Sequence, residues 1–333
     1  MRALFFVGDT ITIVSMLKVK YSINKDTCFA YWVQTLLQWG WASSKADTEY
    51  YRSQGAPFSH EEEYALEQLK IVVEKKENSY LWLWERYAGY AIKNSDEKKI
   101  WYEVVSIFSP RFEELWKTEF PLLEAWRGEL TSTNTEMMLE VFGATSKFLD
   151  VREMHGEIEV RLCTGHFPDA PEGHAKKEFP DFVIANISHT LHTHAPRVLG
   201  LIAHEILHKI EYQSPIFSDA LKQAYENIIK PEGIYTDWKW KYLMTEAVIH
   251  SIASKRYNTY FGRMIMKDEK MIEGDVLLNL NMEKYGKSHG ALIRVVAGRI
   301  ESLTAHYLDE GKKIDQEYCD EVARTWVNLL TGK

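Results

Sequence analysis

His204, Glu205 and His208 are the residues whose types and spacing point most directly to chemistry. They form a His-Glu-x-x-His pattern with apolar flanks. On a helix, residues four apart share a face, so both imidazoles can bind one Zn²⁺. Glu205 lies on the same side, offset, where its carboxylate can act as general base toward a zinc-bound water. Zinc lowers the pKa of such a water to about 7, so the pattern predicts a hydrolytic zinc site.

A catalytic zinc needs a third protein ligand and an open fourth position. Glu246 is the first choice, because it follows His208 by 38 residues on its own predicted helix, among apolar neighbours. A carboxylate buried there is costly without a cation. His250, one turn further on, is the second choice or a residue that orients a ligand. The alternative is an ion pair of Glu246 with Lys241 or Arg256.

These residues resemble the gluzincin zinc metallopeptidases, the thermolysin-like clan. The resemblance covers about residues 155–260 and rests on His204-Glu205-x-x-His208 followed by Glu246-Ala. It implies one Zn²⁺ per chain held by His204, His208 and Glu246, with Glu205 as the catalytic base. It departs from the clan at His250, where many members carry Asp, and in the long spacing between the second histidine and Glu246.

The resemblance also implies an architecture. Two antiparallel active-site helices would lie below a small mixed sheet, and the edge strand of that sheet would pair with the substrate backbone. The strand at residues 181–188 occupies the corresponding place in the sequence. A Tyr or His from the C-terminal lobe would stabilise the oxyanion. His289, His306 and Tyr307 are candidates, although none has a motif around it and ordinary packing or exposure is the more common role for such residues.

The surrounding pattern predicts the elements that position these residues. Alternation indicates strands at 157–163 and 181–188, while Gly8-Asp9 between residues 3–7 and 10–15 indicates a hairpin. Helices are expected at about 196–210 and 237–258. A capping sequence at Ser59 starts another helix, and Pro110 and Pro121 are expected to separate short ones.

The fold class expected is α+β and mostly helical: a zincin-like core with a Trp-rich helical lobe. The predicted divisions are an N-terminal hairpin joining the catalytic sheet (1–20), the helical lobe (21–150), the zinc-peptidase core (151–265) and a C-terminal helical subdomain (266–333). Eight of the eleven tryptophans lie before residue 130, where they indicate helix-packing core or, alternatively, a substrate-channel lining. His189, His192 and His194 indicate a cleft rim or a polar loop.

Composition limits the classes of function. The net charge is −8 without a basic run, which disfavours nucleic acid as a partner. Three cysteines give no disulfide framework and fit a reducing cytoplasm, and Cys163 is interpreted as a small buried hydrophobe. Asp9 interrupts the N-terminal apolar run, and no stretch suits a signal peptide or a membrane span. A cytoplasmic location is therefore expected.

Two hypotheses of different classes remain. The first is a zinc-dependent hydrolase of peptide bonds, with a peptide or protein as substrate. The second is a non-catalytic helical interaction module whose metal site is structural or lost, with the Trp-rich lobe as its binding surface. A lesser variant of the first hydrolyses a non-peptide amide. Substrate preference, endo- or exo-action and oligomeric state have no signal in the sequence.

Overall fold

A computed structural model describes residues 17–38, 45–75, 79–132, 135–151, 156–165, 172–188, 195–233, 239–254, 259–265 and 289–332. The chain is mostly helical with a small mixed sheet, as predicted. The strands are β1 (Lys18–Ser22), β2 (Glu157–Gly165), β3 (Glu172–His174) and β4 (Phe182–Ser188). The helices before the sheet are α1 (Lys25–Leu36), α2 (Lys45–Ser53), α3 (His60–Glu74), α4 (Ser79–Tyr87), α5 (Ser95–Ser132) and α6 (Thr135–Phe148). Those after it are α7 (Ala195–Glu211), α8 (Pro215–Ala224), α9 (Lys239–Ile252), α10 (Tyr260–Ile265), α11 (His289–Asp309) and α12 (Gln316–Thr331).

The sheet has the order β1-β2-β4-β3, in which β1, β2 and β4 are parallel and β3 runs antiparallel to β4. The strand predicted at the edge, β4, is therefore internal, and that prediction was wrong. Its residues from Phe182 to Ile187 are all buried. Such a continuously buried run, apolar except at Asn186, is typical of a strand covered on both faces. The edge next to β4 is the short strand β3, which has no alternating pattern.

The first strand is β1, which pairs with β2 from Lys18 to Ser22. The hairpin predicted for residues 3–15 lies outside the described residues. The strands predicted at 157–163 and 181–188 are confirmed as β2 and β4. Cys163 in β2 is buried and unpaired by any disulfide, as expected for a small hydrophobe.

The helical lobe is built around aromatic side chains. Trp84 and Trp126 are completely buried, and Trp32 packs against Phe108 and Phe112 with ring centroids 5.9 and 5.5 Å apart. These tryptophans are core, as predicted. Trp84 also contacts Phe179 and Phe182, beside and within β4, so the apolar core continues from the lobe into the sheet.

Helix α3 begins as predicted, with Ser59 and Glu62 completing a capping box. Helix α5 differs from the prediction, because it runs unbroken through Pro110 and Pro121. Each proline removes one backbone donor, which favours a break. The buried face of α5, which includes Phe108, Phe112 and Trp126, spans both prolines and stabilises the continuous helix. Among the helices described, none has the length and apolar character needed to cross a membrane.

Candidate metal centre

Helix α7 carries the His-Glu-x-x-His residues and lies against β3 and β4. Val198, Ile202, Ile206 and Ile210 are all fully buried, which fixes the rotation of the helix. The opposite side then presents His204, Glu205 and His208, each less than a tenth exposed. The apolar flanks noted in the sequence thus hold three polar side chains in place.

Helix α9 packs against α7 and brings Glu246 to the two histidines. One oxygen of Glu246 lies 3.4 Å from His204 Nε2, and the other lies 3.3 Å from His208 Nε2. The two Nε2 atoms are 3.1 Å apart. Donors bound to a tetrahedral Zn²⁺ lie about 3.4 Å from one another, since zinc–nitrogen distances are about 2.0–2.1 Å. The three side chains therefore fit a zinc ion.

His250 lies beside this triangle. Its Nε2 is 3.7 Å from Glu246 Oε2, and its ring centroid is 4.5 Å from that of His204. One ligand atom each from His204, Glu246 and His250 can be chosen within 4.8 Å of one another. His208 lies closer to Glu246 than His250 does, since His250 is one helical turn beyond Glu246 with its Nε2 3.7 Å from Oε2. The spacing therefore favours His208 as the second histidine ligand.

Each of these two histidines has a neighbour at its other nitrogen. His204 Nδ1 lies 3.0 Å from the backbone oxygen of Ala253, and His208 Nδ1 lies 3.7 Å from Glu211 Oε2. A carbonyl oxygen can only accept, so the contact with Ala253 favours an Nδ1–H on His204, which leaves its Nε2 lone pair free for a metal and orients the ring. Glu211 was missed in the sequence, although its i+3 position after His208 was a usable signal.

Charge compensation is strong inside this cluster. Burial opposes ionisation of Glu246, but His208 and His204 outweigh it and hold its pKa well below the usual value. Burial likewise opposes protonation of His208, yet Glu246 and Glu211 raise its pKa well above the usual value. A carboxylate kept ionised next to two imidazoles is a donor set suited to a divalent cation. Among the described residues Glu246 pairs with histidines and not with Lys241, whose Nζ donates to Ser218 Oγ, while Arg256, the other partner considered, lies outside the described residues.

Glu205 is fitted against the backbone of the edge strand. A Cβ atom added to Gly173 in β3 would lie 2.7 Å from Glu205 Oε1 and 2.8 Å from its Cδ. Only glycine at this position leaves room for the carboxylate. Burial raises the pKa of Glu205 above its usual value. A raised pKa suits a group that accepts and returns a proton near neutral pH.

The cluster opens into a cleft of about 770 Å³. One wall is β3 and the strap, which we define as residues 175–179 between β3 and β4. Lys209 fixes the strap, since its buried Nζ donates to the backbone oxygens of Lys176 at 2.7 Å and Phe179 at 2.6 Å. The rest of the described lining includes Tyr242 and Arg294. Access from a cleft distinguishes this cluster from a histidine pair enclosed in a core.

Two of the three candidates for oxyanion stabilisation, His306 and Tyr307, are not among the described residues that line this cleft. The Tyr307 hydroxyl donates to Asp315, and exposed His306 pairs with Glu310. The side chain of His289 lies outside the described part of the chain, as do His189, His192 and His194. Tyr212 and Tyr242 line the cleft instead, and the ring of Tyr212 stacks on His208 at 6.1 Å. The i+4 spacing of Tyr212 from His208 was the available signal.

The chain was compared with protein-family models, with curated proteins and with solved structures, and none of the three comparisons found a match.

Proposed function

We propose that this protein is a zinc-dependent hydrolase of peptide bonds. The observation that carries the proposal is a donor cluster in an open cleft, in which His204 Nε2 and His208 Nε2 lie 3.1 Å apart and each lies within 3.4 Å of one oxygen of Glu246. Gluzincin membership and a cytoplasmic location belong to the same proposal.

Each residue of the site has a separate role in this proposal. His204, His208 and Glu246 would hold Zn²⁺, which when bound polarises a carbonyl and acidifies water. Glu205 accepts a proton in the cleft and returns it to the leaving amine, as its burial and raised pKa suit it to do. Lys209 and Gly173 keep the edge strand and the strap against Glu205. A peptide entering the cleft would lie along β3.

The alternative, a structural metal site in an interaction module, depends on His250. If His250 joined the other three donors, four protein ligands would close the coordination sphere. The position of the cluster at the base of a cleft favours the open site. The donor spacing favours it too, because His250 Nε2 is farther from Glu246 than either of the other histidines.

The first experiment measures zinc per chain by mass spectrometry on protein purified without added metal. We expect about one zinc natively, none in Glu246→Ala or His208→Ala, and an undiminished content in His250→Ala. Glu140→Ala, at an exposed position on α6, is the matched control. Absence of zinc from native protein after metal is added back would refute the proposal. Zinc lost from His250→Ala but kept in His208→Ala would move the site to the other triad.

The second experiment measures cleavage of a quenched-fluorescence peptide library. Glu205→Gln should keep its zinc and lose about 10²- to 10⁴-fold in turnover, since it removes the proton acceptor alone. An interaction module would retain the zinc and cleave nothing in either form. Equal cleavage by native protein and Glu205→Gln would exclude the assigned role of Glu205.

A further inference from the structure

Cationic side chains line the cleft of an acidic chain. The protein carries a net charge of −8, yet the described lining includes four cations: Lys176, Lys177, Lys241 and Arg294. The same described lining includes four glutamates, of which Glu246 and Glu211 contact histidines, Glu205 lies against Gly173 and Glu178 belongs to the strap. A divalent cation bound by the histidine–carboxylate cluster would therefore leave this lining with a net positive charge.

We propose that the cleft selects peptides carrying carboxylates close to the bond that is cleaved. This inference rests on the proposed hydrolase function and names its substrate class. A positive patch inside a negative molecule attracts and orients anionic ligands, and it disfavours cationic ones by like-charge repulsion.

The cations come from three separate elements that line the cleft. Lys176 and Lys177 belong to the strap beside β3, whereas Lys241 is on α9 and Arg294 is on α11. A peptide lying along β3 would pass the strap lysines in the same cleft as the metal cluster, Lys241 and Arg294. Carboxylates close to the cleaved bond would therefore be near a cation.

The strap holds its lysines in place. Lys209 bonds the backbone at Lys176 and Phe179, and Phe179 is itself buried and stacked on Trp84 at 5.6 Å. The strap is thus tied at two points to the protein interior. The backbone that carries Lys176 and Lys177 is therefore held before a ligand binds, which reduces the cost of ordering the strap.

The experiment compares peptides of one sequence that differ near the cleaved bond by Glu, Gln or Lys, each made with a free and with an amidated C-terminus. We expect kcat/KM to fall by about tenfold from Glu to Gln and further to Lys, and the preference to weaken as salt is raised. If the preference persists in the amidated peptides, the cleft recognises the side-chain carboxylate. If amidation abolishes the preference, the cleft recognises the terminal carboxylate. Equal rates for all three side chains and both termini would overturn the proposal.

Charge reversal tests the residues themselves. Lys176→Glu/Lys177→Glu and, separately, Arg294→Glu should reduce or invert the Glu-over-Lys preference, whereas Lys117→Glu on exposed α5 should leave it unchanged. Anisotropy of labelled peptides on zinc-loaded Glu205→Gln reports binding without turnover. Selective binding of Glu peptides with no cleavage by native protein would retain this inference while refuting the hydrolase. Cleavage without selectivity would retain the hydrolase and refute this inference.

Discussion

Replacing Gly173 by alanine tests whether β3 and Glu205 act together. The added Cβ would stand 2.7 and 2.8 Å from Glu205 Oε1 and Cδ, and closer still to its Cγ. Ordinary contacts between such atoms are about 3.5–4.0 Å. Because Glu205 is buried on a packed helix, either its carboxylate must rotate away or β3 must move by about an ångström.

The expected effects follow from that displacement. Overpacking of this kind costs about 1–3 kcal/mol in the free energy of unfolding. A catalytic group displaced by about an ångström loses on the order of 10²-fold in turnover. Zinc content should stay near that of the native protein, because none of the three proposed ligands is touched. Urea denaturation, peptide cleavage and metal analysis measure these quantities separately.

Two further variants test whether Gly173→Ala acts through contact of the added Cβ with Glu205. Gly128 lies at an exposed position of α5, and a Cβ added there meets nothing within 4 Å. Gly128→Ala should therefore be neutral or stabilising and should leave turnover unchanged. In a Glu205→Ala background, Gly173→Ala should lose most of its cost in stability, since the atoms that it strikes are gone. The reasoning fails if Gly173→Ala retains full stability and turnover, or if its cost in stability persists without the Glu205 side chain.

Three further predictions concern other parts of the chain. Burial lowers the pKa of His174 to about 4, so unfolding takes up a proton as the pH falls from 7 to 5. The native protein should therefore lose free energy of unfolding over that interval, and His174→Phe should lose about 2 kcal/mol less, as measured by urea denaturation. Lys209→Met removes the two hydrogen bonds that tie the strap. Hydrogen exchange at residues 175–179 should therefore accelerate and KM should rise, while the zinc content stays unchanged. Slow exchange there would show that Lys209 does not anchor the strap. Ser59→Ala breaks the α3 capping box and should cost about 1 kcal/mol in thermal or urea unfolding, and a cost near zero would contradict the assigned cap.

The sequence alone predicted the features that depend on residues close together in the chain. The i, i+4 histidines, the capping box at Ser59 and the largely apolar run of β4 each depend on neighbours within a few residues, so their patterns predicted a helix face, a helix start and a strand. Glu246 was also identifiable, because a lone carboxylate amid apolar helix residues needs a cation. The structure brings it within 3.4 Å of both histidines.

Tertiary packing decided what local patterns do not encode. The edge position of β3, its contact through Gly173 with Glu205 and the continuity of α5 through two prolines depend on residues distant in sequence. The cations that line the cleft come from the strap, α9 and α11, which have no common sequence signal. A spacing pattern determines which side chains share one helix face, whereas the partner that such a face meets is selected by burial of the whole core.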